Sequence, residues 1–126
     1  MLAIVLVGGL GTRLRPLTEH TPKQMLPICG TPMIEWVVEH LAGHGVEEVG
    51  LSVGYRSDEF LNAYPHGQIS GIPFRVAVEP EPRGTAGAIR FAADEFDVDK
   101  TFLALNGDVL TDLDITELIA FHRVHD

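Results

Sequence analysis

The residue types near the N-terminus are suited to binding an anion. Three glycines and three cationic side chains lie within one short stretch: Gly8, Gly9, Gly11, Arg13, Arg15 and Lys23. Glycine lets backbone N–H groups approach an anion closely, and arginine and lysine balance its charge. The stretch Gly8–Pro27 directly follows an apolar run, so we expect a phosphate-binding loop after a buried strand. The alternative interpretation is a plain strand-to-helix connection with incidental cations.

The spacing in this stretch differs from that of the two best-known phosphate loops. It fits neither the GxxxxGK[ST] pattern of P-loop proteins nor the GxGxxG pattern of dinucleotide-binding proteins. A loop of this length without secondary structure of its own is usually functional or disordered. The prediction is therefore a phosphate-binding loop of another kind.

The elements that must position this loop alternate between strand and helix. Apolar runs predict strands at Leu2–Val7, Glu48–Ser52, Phe74–Val78 and Thr101–Leu105. Apolar residues at helical spacing predict helices at Pro32–Gly43, Ser57–Tyr64 and Thr85–Phe96, and from Asp114 onward. Thr31 is expected to cap the first helix, and Pro65–Gly71 is expected to form a turn. This alternation predicts the α/β fold class, as a Rossmann-like three-layer α/β/α domain with a mostly parallel sheet.

Ligands of such sheets bind outside the carboxyl ends of the strands. Three segments are expected to meet there, namely Gly8–Pro27, Glu79–Gly84 and Asn106–Asp114. Asp108 leaves the fourth strand opposite the glycines, where it is either a ligand-binding residue or a turn aspartate. Glu79 is equally compatible with a ligand-binding role and with a solvated strand end.

Composition limits the class of protein. The chain has 126 residues with a hydrophobic fraction of 45%, which fits one ordinary domain, and a net charge of −9, which argues against a nucleic-acid partner. The single cysteine, Cys29, excludes an internal disulfide and a cysteine-based metal site. No apolar run could span a membrane and no signal peptide is recognised, so we expect a cytoplasmic protein. His40 and His44 lie four residues apart without a zinc-binding pattern, and we expect them at the surface.

Three segments together resemble the signature of the sugar-phosphate nucleotidylyltransferases. They read GGLGTRLRPLT followed by PKQMLP, EPEPRGTAGAI and LNGDVLTDLDI, and the resemblance covers essentially the whole chain. It implies the nucleotide-diphospho-sugar transferase fold and an enzyme that joins a sugar 1-phosphate to a nucleoside triphosphate, with Mg²⁺ as cofactor. The most similar subgroup transfers guanylyl from GTP to mannose 1-phosphate. Thymidylyl transfer to glucose 1-phosphate and a non-catalytic nucleotide-binding module are the alternatives.

The resemblance also implies roles for individual residues. The backbone of Gly8, Gly9, Gly11 and Thr12 would hold the nucleotide phosphates. Arg13 would stabilise the triphosphate and the leaving pyrophosphate, Lys23 would contact the α-phosphate and the sugar phosphate, and Asp108 would hold Mg²⁺. The remaining nucleotide-binding residues, which would line the base and its surroundings, are Leu6, Glu79, Gly84 and Thr85.

Two residues depart from the guanylyl pattern, and the length departs from the family as a whole. Gln24 is frequent in thymidylyl members where guanylyl members usually have proline, and Arg83 replaces a commonly apolar residue. The family's catalytic domain is longer, so residues 1–126 are expected to be the nucleotide-binding part of a truncated domain. We expect weak nucleotide binding, poor turnover and, if the sheet is cut short, self-association into a homo-oligomer.

Overall fold

The computed structural model describes residues 1–125, and a five-stranded sheet lies at the centre of this part of the chain. In chain order the strands are β1 (Leu2–Leu6), β2 (Pro27–Ile28), β3 (Thr31–Pro32), β4 (Glu48–Val53), β5 (Gln68–Ile69), β6 (Ile72–Val78) and β7 (Leu103–Asn106). The helices are α1 (Met33–Gly43), α2 (Ser57–Ala63), α3 (Gly84–Glu95) and α4 (Ile115–His125). Two short 3₁₀ helices, Thr12–Leu14 and Lys23–Met25, lie between β1 and β2.

The sheet is mostly parallel, as its sequence pattern predicts. Its strand order is β5-β6-β4-β1-β7. β1 pairs in parallel with β4 on one side and β7 on the other, and β4 pairs in parallel with β6. Only the short β5 runs antiparallel to its neighbour β6 within the described residues. The carboxyl ends of β1, β4, β6 and β7 therefore share one edge, which is where parallel sheets bind their ligands.

Helices cover both faces of the sheet, because successive residues of a strand point to opposite sides. On one face, Ala3 and Val5 of β1 pack in a core with apolar residues of α1, α2 and α4. On the other face, Ile4 packs with Ala92 and Phe96 from α3 and its end. Phe96 lies against Gly50 of β4, where a side chain would collide with its ring. The three-layer architecture is thus confirmed.

The differences from the sequence prediction lie at the short elements. Pro65–Gly71 is predicted as a turn, but it contains β5, which pairs with β6. Thr31 is predicted to cap α1, but it pairs with Ile28 in a two-stranded hairpin, and α1 begins two residues later. Both pairings are tight hairpins with two-residue turns, Cys29–Gly30 and Ser70–Gly71, and their strands are too short to show a periodic pattern. No helix within residues 1–125 combines the length and the apolar character needed to cross a membrane.

Candidate functional site

The glycine loop after β1 has a conformation that requires glycine. Gly9 and Gly11 have φ angles of 105° and 59°, a region that disfavours other residues. The carbonyl of Gly11 accepts from the N–H of Leu14 at 2.9 Å and from the hydroxyl of the buried Thr18 at 2.6 Å. A Cβ atom on Gly11 would lie 2.8 Å from Thr18 Cγ2. The loop is therefore folded back on itself and exposes backbone around Gly8–Thr12.

Two residues far apart in sequence, Lys23 and Asp108, meet beside this loop. Lys23 begins the second 3₁₀ helix, and Asp108 follows β7 by two positions. The ammonium Nζ of Lys23 donates to Oδ2 of Asp108 at 2.7 Å, and each side chain is about one-third exposed (34% and 33%). Gly107 brings the chain there by donating its N–H to Leu6 O at 2.8 Å. The structure thus brings the predicted metal ligand and the predicted phosphate-binding lysine together.

Two adjoining cavities open at this edge of the sheet. The small hollow, about 270 Å³, is lined by Gly8, Gly9, Gly11, Thr12, Arg13, Leu14, Lys23 and Asp108. The large cleft, about 590 Å³, extends from Asp108 past the ends of β1 and β4 to the segment after β6 and the start of α3. Its lining includes Leu6, Gly8, Gly9, Gln24, Ser52, Tyr55, Glu79, Gly84, Thr85 and Asn106. Gly8, Gly9 and Asp108 line both, so the two cavities form one continuous site.

Every predicted site residue lines one of these two cavities. The small hollow takes the predicted phosphate-binding group: Gly8, Gly9, Gly11, Thr12, Arg13, Lys23 and Asp108. The large cleft takes the predicted base-binding group: Leu6, Glu79, Gly84 and Thr85. Their common location is established, whereas the role of each residue stays a prediction.

The sequence prediction missed the contribution of β4. Ser52, Gly54 and Tyr55, at and after the end of this strand, line the large cleft. The rule that ligands bind at the carboxyl ends of parallel strands could have included them. Gln24 also lines the large cleft although the residue is only 4% exposed, and its burial has no signal in the sequence.

Charged side chains of both signs line both cavities, with Glu81 and Arg83 beside Glu79 in the large cleft. Arg13 and Lys23 line the small hollow, and the Arg13 guanidinium has no hydrogen-bond or ion-pair partner among residues 1–125. Glu79 lines the large cleft, and its carboxylate likewise has no partner within the described chain. A ligand that is anionic at one end and offers N–H donors at the other would satisfy both.

A divalent cation fits this site only if a ligand helps to hold it. No three or more His, Cys, Asp or Glu side chains cluster closely enough within residues 1–125 to bind a metal alone. Mg²⁺ is often held by one or two carboxylates together with the phosphates of a substrate. Asp108, beside the exposed backbone of the glycine loop, provides one such carboxylate.

Sequence comparisons connect the chain with nucleotidyl-transferring enzymes. The mannose-1-phosphate guanyltransferase of Eremothecium gossypii is 42% identical over 129 residues, covering 99% of this chain and 35% of the relative. The mannose-1-phosphate guanylyltransferase of Mycobacterium tuberculosis is 40% identical over 121 residues, covering 96% of this chain and 33% of the relative. The chain therefore spans about a third of the length of these curated relatives.

Solved structures agree on the fold. HddC from Yersinia pseudotuberculosis, complexed with GMP-PN, superposes with a TM-score of 0.81 at 31% identity, covering 95% of this chain and 53% of that one. A Bacillus anthracis protein described as a glucose-1-phosphate thymidylyltransferase gives 0.85 at 25% identity, covering 98% and 51%. The expected nucleotide-diphospho-sugar transferase fold is confirmed by these neighbours. The sequence model of the nucleotidyl transferase family matches residues 2–126, and the chain belongs to that family.

Proposed function

We propose that this chain provides the nucleotide side of a sugar-phosphate nucleotidylyltransferase site that transfers guanylyl from GTP to mannose 1-phosphate. The observation that carries the proposal is the approach of Lys23 to Asp108, at 2.7 Å across 85 residues of sequence, beside the glycine loop. This small hollow is cationic and rich in backbone N–H groups, and it opens into a cleft large enough for a nucleoside. The named relatives are guanylyltransferases of mannose 1-phosphate.

The proposed reaction is an in-line displacement at the α-phosphorus of GTP. An oxygen of the sugar phosphate forms the new bond to phosphorus while the α–β bridging bond breaks, and the electron pair leaves with pyrophosphate. Such chemistry needs positioning and charge neutralisation more than covalent help from the protein. Backbone N–H groups of Gly8–Thr12 would hold the phosphates, and Arg13 would bind the departing pyrophosphate.

Lys23 and Asp108 would act at the reacting phosphate. Lys23 would neutralise charge on the α-phosphate and orient the incoming sugar phosphate. Asp108 would hold Mg²⁺, which would neutralise negative charge on the phosphates. In the ligand-free chain the two residues form an ion pair through Oδ2 of Asp108, so a bound cation and phosphate would compete with this contact.

A binding experiment tests this proposal on the chain itself. Calorimetric titration with GTP in Mg²⁺ should show weak but measurable binding that chelation of the metal reduces. Asp108→Asn should remove the gain due to Mg²⁺, whereas Asp112→Asn, an exposed aspartate of the same loop outside both cavities, should keep it. Equal affinities with and without Mg²⁺ in the unmodified chain would contradict the proposal.

The enzymatic part of the proposal requires a turnover assay. Pyrophosphate release should be measured with GTP and dTTP against mannose 1-phosphate and glucose 1-phosphate. We expect the highest rate with GTP and mannose 1-phosphate. A higher rate with dTTP and glucose 1-phosphate would favour the thymidylyl alternative, for which Gln24 in the large cleft is the supporting residue. Nucleotide binding without any turnover would favour a non-catalytic module.

Glu79 supplies the physical argument for guanine. Its carboxylate, unpaired among the described residues, can accept from both N1–H and the exocyclic amine of guanine. Thymine would place a carbonyl oxygen beside its single ring N–H, where a carboxylate is repelled. A bidentate pair of this kind is worth about 1–3 kcal/mol of base discrimination, or roughly 5- to 150-fold.

Exchange of Glu79 for glutamine therefore has a defined effect. In nucleotide competition, Glu79→Gln should lower the preference for GTP over dTTP by about that factor. Glu81→Gln, at another carboxylate that lines the large cleft, is the matched control and should change the preference little. An unchanged GTP preference in Glu79→Gln would show that Glu79 does not contact the base.

The proposal places this Mg²⁺-dependent reaction in the cytoplasm. Nucleoside triphosphates and free Mg²⁺ are abundant in the cytoplasm, so we place the reaction there. Cell fractionation with an antibody against the chain would test this location.

A further inference from the structure

The loop that carries Asp108 is hydrogen-bonded to the end of β1 at its start, whereas its middle is exposed. This Asp108 loop comprises residues 107–114, between β7 and α4. At its start, the N–H of Gly107 donates to Leu6 O at 2.8 Å. Farther along, Val109 and Leu110 are half-exposed, and a hollow of about 420 Å³ lies between them and α1. Asp108 therefore lies where the fixed start of the loop passes into its exposed middle, so a movement of the far end can reach it along the loop.

Two histidines at the C-terminal end of α1 hold that far end. The Nε2–H of His40 donates to the carbonyl oxygen of Leu113 at 3.0 Å. One turn later, Nδ1 of His44 accepts from the backbone N–H of Thr116 at 3.3 Å and lies 2.8 Å from the Thr116 hydroxyl oxygen. The two imidazoles pack edge to face with their centroids 4.8 Å apart. Both rings are half-buried, whereas the sequence predicts surface histidines.

The partners determine which ring nitrogens carry protons. A carbonyl oxygen only accepts, so His40 must be protonated on Nε2. A backbone N–H only donates, so Nδ1 of a neutral His44 offers its lone pair to Thr116, and Asp114 Oδ1 lies 3.5 Å from the same nitrogen. The N–H of Thr116 is in the first turn of α4, where backbone donors have no partner inside the helix. His44 therefore caps α4 from another helix, next to Asp114, which accepts from the N–H of Glu117 at 3.0 Å.

We propose that His40 and His44 are positioning residues for Asp108. They fix the far end of the Asp108 loop to α1 and so keep the carboxylate beside Lys23 and the small hollow. Neither ring lines the small hollow or the large cleft, so the effect passes through the loop and not through contact with a ligand. What Asp108 does in catalysis rests on the proposed function, but the fastening of the loop rests on these contacts alone.

The test distinguishes the effect of the hydrogen bonds from that of the ring volume. His40→Ala and His44→Ala remove both the hydrogen bonds and the rings. His40→Gln restores an N–H donor near the position of Nε2, and His44→Asn restores an acceptor near the position of Nδ1. His66→Ala is the matched control, because His66 is an exposed histidine in the turn before β5, far from this loop in the fold.

The first measurement is amide hydrogen exchange of residues 107–114 in the ligand-free chain. A hydrogen bond contributes about 1 kcal/mol net, so loss of one should make exchange about fivefold faster. We expect this in both alanine variants, with near-normal exchange in His40→Gln, His44→Asn and His66→Ala. Unchanged exchange in both alanine variants would overturn the proposal.

The second measurement is GTP affinity with Mg²⁺ and with a chelator. Misplacement of Asp108 should reduce the Mg²⁺-dependent gain about threefold or more and leave the metal-free affinity unchanged, while Asp108→Asn gives the value for complete loss. Equal weakening in both conditions would overturn the proposal, because it would indicate general damage to the site. If the unmodified chain shows no Mg²⁺-dependent gain, the proposed function fails, and the exchange rates alone decide whether the histidines fix the loop.

Discussion

At the scale of single residues, Lys23 and Asp108 neutralise each other's charge in the ligand-free chain. Their ion pair is partly exposed, with a 2.7 Å contact, and such pairs contribute about 0–1 kcal/mol to stability. Breaking the pair therefore takes little free energy, but the lysine charge competes with any cation for the Asp108 carboxylate. We predict that Lys23→Met raises the affinity of the ligand-free chain for Mn²⁺ a few-fold and weakens its binding of Mg²⁺–GTP.

The opposite signs of these two effects make the prediction specific. Electron paramagnetic resonance of free Mn²⁺ measures the first, and calorimetry measures the second. Lys100→Met is the matched control, since Lys100 is exposed and lies outside the two site cavities, and both affinities should stay unchanged. A lower Mn²⁺ affinity in Lys23→Met would contradict the idea that the lysine blocks the carboxylate.

The sequence predicted which residues belong to the site, but it did not predict which of them contact each other. Gly8, Arg13 and Asp108 are recognisable because their residue types and their positions after apolar runs suit phosphate and metal binding. The direct contact of Lys23 with Asp108 was not predictable, because it joins two segments 85 residues apart. The ties from His40 and His44 to the Asp108 loop are of the same kind, since local pattern carries no signal for them.

At the scale of elements, the close approach of Gly107 to β1 sets the path of the chain from β7 to Asp108. A Cβ atom on Gly107 would lie 2.9 Å from Cγ1 of Val5 in β1 and 2.8 Å from Cγ1 of Val7 directly after it, and both valines are in the core. Overpacking of this kind typically costs about 1–3 kcal/mol and moves the backbone. We predict that Gly107→Ala lowers the free energy of unfolding by that amount and reduces the Mg²⁺-dependent gain in GTP affinity.

Urea unfolding and nucleotide titration together check this prediction. Gly43→Ala is the matched control, because no atom lies within 4 Å of a Cβ built there, at the end of α1. Replacing this helical glycine should leave stability equal or raise it by up to about 1 kcal/mol. If Gly107→Ala unfolds at the same urea concentration as the unmodified chain, the packing beside β1 is looser than the structure indicates.

Long periodic elements were predictable and short ones were not. The helical spacing of Ile34, Val38 and Leu41 predicts α1, and in the structure all three side chains are fully buried on one face of that helix. β5 could not be predicted from Gln68 and Ile69, because two residues carry no periodicity and become a strand only by pairing with β6. The site was nevertheless predictable in outline, since it depends on the long parallel strands and the loops that leave them.

At the scale of the whole molecule, one side of the chain presents unpaired backbone and apolar side chains together. β7 is the outermost strand of the sheet, with β1 as its only neighbour in the described residues. On the adjacent α4, Phe121 is 62% exposed and Val124 is 78% exposed. An unpaired strand edge beside exposed apolar surface favours pairing with another chain, so we predict concentration-dependent self-association.

The contribution of this surface can be isolated with two charge substitutions. Phe121→Glu should shift the association to higher protein concentration, because it buries a charge in any interface that covers α4. Leu61→Glu is the matched control: it adds the same charge at a half-exposed leucine on α2, which belongs to another part of the surface, and it should leave association unchanged. Light scattering over a wide concentration range measures both. A constant monomer mass for the unmodified chain would contradict self-association, and equal shifts in both variants would show that net charge, not this surface, controls it.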